Sequence, residues 1–234
     1  MGGSNSKISD KSYLSKSDNE IVSLMMPVFF TFDEVTKEDA ILATESWKLI
    51  VDEKSDHFNQ LKLDLNFKYT SCILYFFDVF YDRLFDVHPL CEPMFKSGIK
   101  AQGRFLVKMI SLSVSLLDDK KKFEETMINL ANAHNKRGVR ANEYGIVGEV
   151  LFYSVKKCIG PAYTPNVHLA WIKIFSRMLK YIVPTAVAFE LHEGYAQVQR
   201  MNELDMARKQ QVQEFNFKNE NEKTTTTPST DSSN

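Results

Sequence analysis

The sequence predicts an all-α fold of six to seven packed helices with disordered extensions at both ends, and three observations carry that reading. Gly (9) and Pro (7) are scarce in a chain of 234 residues, a balance that favours long helices over turn-rich β structure. Apolar side chains recur at spacings of three and four. Residues that start or stop helices punctuate that pattern. A hydrophobic share of 44% is enough for one domain of about 150 residues, which buries roughly 70% of its unfolded surface.

The elements follow in order. Residues 1 to 20 are polar without a core pattern and are expected to be a disordered arm. Thr36 and Asp39 form a capping box, with Asp in place of the usual Glu, ahead of "AILATESWKLIV". There Ile41, Ala43, Trp47, Leu49 and Ile50 supply the apolar face. Residues 52 to 68 are polar and irregular, an expected insertion loop. The run "SCILYFFDVFYDRLF" predicts an aromatic helix over about 70 to 87, before Pro89 and Pro93 break the chain. Residues 101 to 117 carry Leu106, Met109, Ile110, Val114 and Leu117 at helical spacing, and "DDKKK" after them reads as a solvated connector.

Phe123, Met127, Leu130, Ala131 and His134 then share one helical face, which ends on the histidine, and Gly138 suits the stop. A helix over about 143 to 159 is closed by Gly160 and Pro161. Thr164 and Pro165 make an N-cap and first-position pair for the next, which contains Trp171, Ile174, Phe175, Met178, Leu179 and Ile182. Pro184 is expected to kink or end that helix, with helical pattern resuming as an extension over 191 to 213. Residues 214 to 234 finish in low-complexity sequence and are expected to be disordered.

Net charge is −1, so no strong overall field draws nucleic acid, and none is expected as a partner. Cys72, Cys91 and Cys158 are widely spaced and read as buried thiols in a reducing, cytoplasmic setting. No apolar run reaches the ~18 residues of a membrane span. The start "MGGSNSK" lacks a signal-peptide core but fits the myristoylation pattern, with Gly2 as acceptor and Ser6 in place. A flexible Gly/Ser linker is the alternative. One myristoyl chain anchors only marginally at an inner membrane face, and Lys7, Lys11 and Lys16 are diluted by Asp10, Asp18 and Glu20.

His134 is the one residue whose chemistry is unexplained by packing period alone. A histidine on an apolar face is ordinarily a core residue with one hydrogen bond. No neighbouring nucleophile or paired carboxylate suggests catalysis, and structural zinc takes four protein ligands. A haem needs one axial imidazole and apolar burial for the rest.

Residues 36 to 190 resemble the globin family, and the C-terminal half is particularly similar to its neuroglobin branch. The carrying stretches are "ESWKLI" (45 to 50), "FYDRLFDVHP" (80 to 89), "PMF" (93 to 95), "AHNKRGV" (133 to 139) and "VGEVLFYSVKKCIGPAYTPNVHLAW" (147 to 171). The resemblance implies a globin fold around haem b, with His134 as the proximal iron ligand and Phe95 packed on the haem face. Counting back 32 positions from His134 places the distal residue at Gln102, where neuroglobin has histidine. Bis-histidine closure is therefore not carried over.

Tyr81 falls where the preceding helix faces the distal side, and a Tyr and Gln pair resembles bacterial flavohaemoglobins. Both side chains carry donors for an electron-rich diatomic ligand. Leu106, Leu130, Val139 and Tyr144 match further haem contacts. Phe105 stands where neuroglobin has a basic propionate partner, leaving Arg140 or Lys100 for that role. The connection from Phe95 to Gln102 is shorter than in neuroglobin, and the insertion after Trp47 about twenty residues longer than usual. The implied function is reversible binding of oxygen, or nitric oxide, for ligand binding or sensing, ahead of oxygen transport. The alternative is a redox enzyme such as a nitric oxide dioxygenase, served by a separate reductase. A haem-free interaction module is the third reading.

Overall fold

The computed structural model describes residues 14 to 95 and 98 to 224. Among them are eight α-helices and no strand: α1 (Lys16–Met25), α2 (Lys37–Val51), α3 (Asp56–Leu61), α4 (Cys72–Val87), α5 (Ile99–Ser115), α6 (Lys120–Asn135), α7 (Glu143–Ile159) and α8 (Pro165–Thr224). Short 3-10 segments at Pro89–Phe95 and Gly160–Ala162 fill the corners after α4 and α7. The chain divides into two compact units, residues 1 to 189 and residues 190 to 234.

Five of the eight helix starts fall on side chains that accept otherwise orphaned first N–H groups, while α4, α5 and α7 lack such a cap. Thr36 accepts from the Asp39 N–H at 3.1 Å while the Asp39 carboxylate accepts from the Thr36 N–H at 2.9 Å, the reciprocal cap read from the sequence. Ser55 opens α3, Asp119 opens α6, and Thr164 accepts from the Val167 N–H at 3.3 Å ahead of α8. Gly138, three residues past the end of α6, adopts φ +84°, which only glycine reaches without strain.

Four sequence expectations are corrected. Residues 16 to 20, expected in a disordered arm, begin α1, because Ser15 and Asp18 form a second reciprocal capping box and Val22 is buried. The insertion over 52 to 68 holds α3, anchored by the fully buried Phe58. These two short helices bring the count to eight. Of the two outcomes expected at Pro184, the helix does not end there: Leu179, Ile182, Val183, Ala186 and Val187 are buried on both sides of it. Burying five apolar side chains outweighs the roughly 3 kcal/mol that an internal proline costs. The helix continues to Thr224, past the expected end at 213, through polar residues of good helix propensity; residues 225 to 234 lie outside the described residues.

α4 and α7 form the central helix pair, with α2 against both. Phe76 stands 5.2 Å from Trp47, itself 6.2 Å from Trp171, so aromatic rings join α4, α2 and α8. Both indole N–H groups are satisfied by serines: Trp47 donates to Ser111 at 2.8 Å, Trp171 to Ser46 at 3.0 Å. The Lys173 ammonium and Asp39 carboxylate form a nearly buried ion pair at 2.9 Å between α8 and α2.

The segment between α1 and α2 is a strap laid on α7 and α8. A Cβ on Gly145 would stand 2.9 Å from Pro27, and one on Gly148 would stand 2.7 Å from both Phe29 and Phe175. The two glycines, nearly one turn apart, make the notch that receives the strap. Phe29 sits edge-on to Phe152 at 5.1 Å, and the Thr31 N–H donates to Ser176 Oγ at 3.1 Å.

Candidate functional site

The last turn of α6 presents His134 half-buried. Its Nδ1 lies 2.9 Å from the Leu130 carbonyl, one turn back. A carbonyl only accepts, so Nδ1 carries the proton and the lone pair resides on Nε2. Burial pulls the His134 pKa down, the Leu130 bond partly offsets this, and the Arg137 charge adds to the lowering. The ring is therefore neutral at neutral pH, the state in which imidazole ligates a metal. Tyr144, from the first turn of α7, stacks obliquely on it with ring centroids 6.0 Å apart. Leu130 and Val139 are partly buried beside the core.

Tyr81, on α4, is buried, and burial alone pushes its pKa up to about 12. Its ring is 5.3 Å from Phe95 and 5.9 Å from Phe85, and the latter two are 5.5 Å apart. Three rings thus tie α4 to the corner that follows it. Gln102, in the first turn of α5, is half-buried, and its side-chain N–H reaches the Met94 carbonyl at 3.5 Å. Tyr81 and Gln102 are not hydrogen-bonded to each other. Leu106 follows one turn along α5, partly buried against the core.

The structure therefore gathers the predicted residues in two groups: Tyr81 with Phe95, and His134 with Leu130 and Tyr144. Phe105 is 67% exposed and Arg140 exposed. The Lys100 side chain and Gly2 lie outside the described residues. Sequence reasoning missed Gly103, buried where a Cβ would stand 3.1 Å from the Phe77 ring. A glycine inside a helical pattern is the available signal, since it marks close approach between elements. It also missed Glu143, whose carboxylate lies 2.8 Å from His88 Nε2, a pairing across 55 positions that no local spacing encodes. The three cysteines are buried and free, as read from the sequence, and the Cys158 thiol hydrogen-bonds Cys72, which with burial raises its pKa.

In an all-helical chain, His134 presents a neutral imidazole beside apolar side chains, the setting that one kind of cofactor asks for. Iron porphyrin asks for one nitrogen donor with an available lone pair and an apolar flank, and His134 with Leu130, Val139 and Tyr144 fits that requirement. Among the described residues no three His, Cys, Asp or Glu side chains converge to hold a bare ion.

The chain belongs to the globin family, a haem-binding family. The family model described as Globin matches residues 78–182. The chain is 30% identical over 112 residues to a neuroglobin of Danio rerio, covering 42% of this chain and 70% of that protein. It is 35% identical over 68 residues to a neuroglobin of Tetraodon nigroviridis, covering 29% of this chain and 43% of that one. A flavohemoprotein of Rhizobium meliloti (strain 1021) is 26% identical over 102 residues, 42% of this chain but only 25% of that protein. Among solved structures, the closed form of the HGbRL globin domain is 27% identical, covering 64% of this chain and 96% of that one, with a TM-score of 0.28.

Proposed function

We propose that the protein holds haem b on His134 and reversibly binds oxygen, or nitric oxide, as a ligand-binding or sensing globin. The observation that supports this most is the His134 tautomer: with Nδ1 committed to Leu130, Nε2 is the nitrogen available to iron. Bound haem supplies an open iron position that takes a diatomic gas. The chain's own residues supply the rest. His134 would hold the iron, Leu106, Leu130, Val139, Tyr144 and Phe95 would give the apolar contacts, and Tyr81 and Gln102 would be the polar groups offered to the ligand.

Tyr81 suits the donor role because its high pKa keeps the phenol protonated, and a protonated phenol donates. Gln102 donates through its amide N–H, turning from the Met94 carbonyl to a ligand. Absorption spectra of the purified ferrous and ferric forms test the proposal. A five-coordinate ferrous spectrum that shifts on adding oxygen or carbon monoxide supports it; a chain purified from haem-fed cells without a Soret band overturns it.

The second reading is a haem redox enzyme such as a nitric oxide dioxygenase, favoured by the similarity to a flavohemoprotein. On that reading a partner reductase would supply the electrons; the stretch matched here is 25% of that relative.

Acylation at Gly2 and association with an inner membrane face belong to the same proposal, supported by the "MGGSNS" pattern. Among the described residues no helix is long and apolar enough to cross a membrane. Coexpression with a myristoyltransferase should add one myristoyl mass to the wild-type chain and none to Gly2→Ala; an unmodified wild-type chain would leave the N-terminus as a linker.

A further inference from the structure

Glu143 opens α7 with a carboxylate used twice. One oxygen, Oε2, accepts the Arg140 N–H at 2.6 Å, while the Glu143 N–H donates to the Arg140 carbonyl at 3.0 Å. This reciprocal pair closes the turn that leads into α7. The other oxygen, Oε1, lies 2.8 Å from His88 Nε2, which donates to it, because a carboxylate only accepts. Both partners are shielded, with side chains 22% and 23% exposed, so the contact is less screened than a surface pair.

The placement gives the contact its meaning. His88 is the C-cap of α4, its N–H bonded to the Leu84 carbonyl at 2.8 Å, and it begins the corner that ends at Phe95. Glu143 precedes Tyr144, which stacks on His134. Val139 and Arg140 lie in the same turn. One carboxylate thus joins the corner carrying Phe95 to the turn carrying Val139, Arg140 and Tyr144.

We propose that His88 and Glu143 are positioning residues: a two-way carboxylate latch that sets the 139 to 144 segment beside His134 against the Pro89–Phe95 corner, and thereby governs how tightly haem is retained. The inference rests on the reading of His134 as a haem ligand. Neither residue would hold the haem itself; both would act through Val139, Tyr144 and Phe95. Glutamine at 143 cannot reproduce the latch, because its single carbonyl oxygen replaces two acceptors.

The test uses the full chain with His88→Phe, His88→Gln, Glu143→Gln and Glu143→Ala. Amide hydrogen exchange without haem reads the latch alone. Peptides spanning 136 to 144 should exchange roughly tenfold faster in His88→Phe and Glu143→Ala, the equivalent of about 1.4 kcal/mol. His88→Gln, which keeps a donor, should restore most of the protection, and Glu143→Gln should fall between. Peptides spanning 171 to 183 in α8 serve as the internal reference and should not change. With haem bound, loss to an excess of scavenging apoprotein should be at least threefold faster in the two severe variants and near wild type in His88→Gln.

Unchanged exchange over 136 to 144, or an equal rise in the α8 reference, overturns the latch. A local rise with unaltered haem loss overturns its role in retention. Wild-type protein that takes up no haem overturns the proposed function instead, while the exchange data still decide whether the latch exists.

Discussion

The His134 imidazole donates its Nδ1 proton to the Leu130 carbonyl, one turn earlier in its own helix, at 2.9 Å. That bond fixes the ring's tautomer and restrains its rotation, so Nε2 is the nitrogen left with a lone pair. His134→Ala should therefore lose haem during purification, and added imidazole should partly restore a ligated spectrum. Full haem occupancy with an unaltered spectrum in that variant would sink the assignment.

Tyr81 and Gln102 are expected to act on oxygen far more than on carbon monoxide, which is less polar when bound. A hydrogen bond to a charged partner is worth about 1.5–3 kcal/mol. Tyr81→Phe should accelerate oxygen dissociation at least about tenfold, or ~1.4 kcal/mol, and leave carbon monoxide release nearly unchanged. Gln102→Leu should act in the same direction. The double variant need not be additive, because both donors share one ligand. Stopped-flow oxygen release at the wild-type rate in both single variants would show that the donors lie elsewhere.

The strap makes a stability prediction independent of haem. Gly148→Ala places a methyl 2.7 Å from Phe29 and Phe175, inside any tolerable contact. The expected cost is about 1–3 kcal/mol, as for other overpacked sites. In a Phe29→Ala background the same change should cost less, since one of the two rings is gone. Urea midpoints of the four chains measure the coupling; equal costs in both backgrounds would mean that Phe29 does not occupy the notch.

Much of this was legible in sequence, and what was missed has a physical pattern. Capping by Thr36 and Asp39, the face of α6 ending on His134 and the turn at Gly138 are local, and local chemistry writes itself into spacing. The ligand candidates depended on family resemblance, because periodicity alone makes Leu106, Leu130 and Tyr144 ordinary core residues. Contacts between distant segments left no such trace. Pro27 on Gly145, Phe29 over Gly148 and His88 with Glu143 each join positions far apart in the chain. The N-terminal arm was misread for a related reason: α1 is marginal by composition and is held by its Ser15 cap and the burial of Val22.

Acid should weaken the α2–α8 contact first at Asp39. Burial alone would raise that carboxyl, but the Thr36 N–H, the Lys173 ammonium and the Thr36 hydroxyl together hold its pKa below the usual value. The folded state thus binds this proton less readily than the unfolded chain, whose aspartate titrates near ~3.9. The stabilisation is fully present above that value and is lost as pH falls through the lower folded pKa. Asp39→Asn should cost about 1–3 kcal/mol at pH 7, with the gap to wild type narrowing below about pH 4. Denaturant titrations at pH 7 and pH 3 check this; a constant gap would assign the cost to something other than charge.

The two tryptophans are the only ones in the chain, and both are buried with their rings 6.2 Å apart. All indole emission therefore originates from one place, where α2 meets α8, and it comes from rings whose N–H groups are held by serine hydroxyls. The molecule carries its own optical gauge. Light emitted at short wavelength reports that this seam is dry and closed, a red shift reports water entering it, and a chromophore bound nearby drains the signal by energy transfer without any label being added.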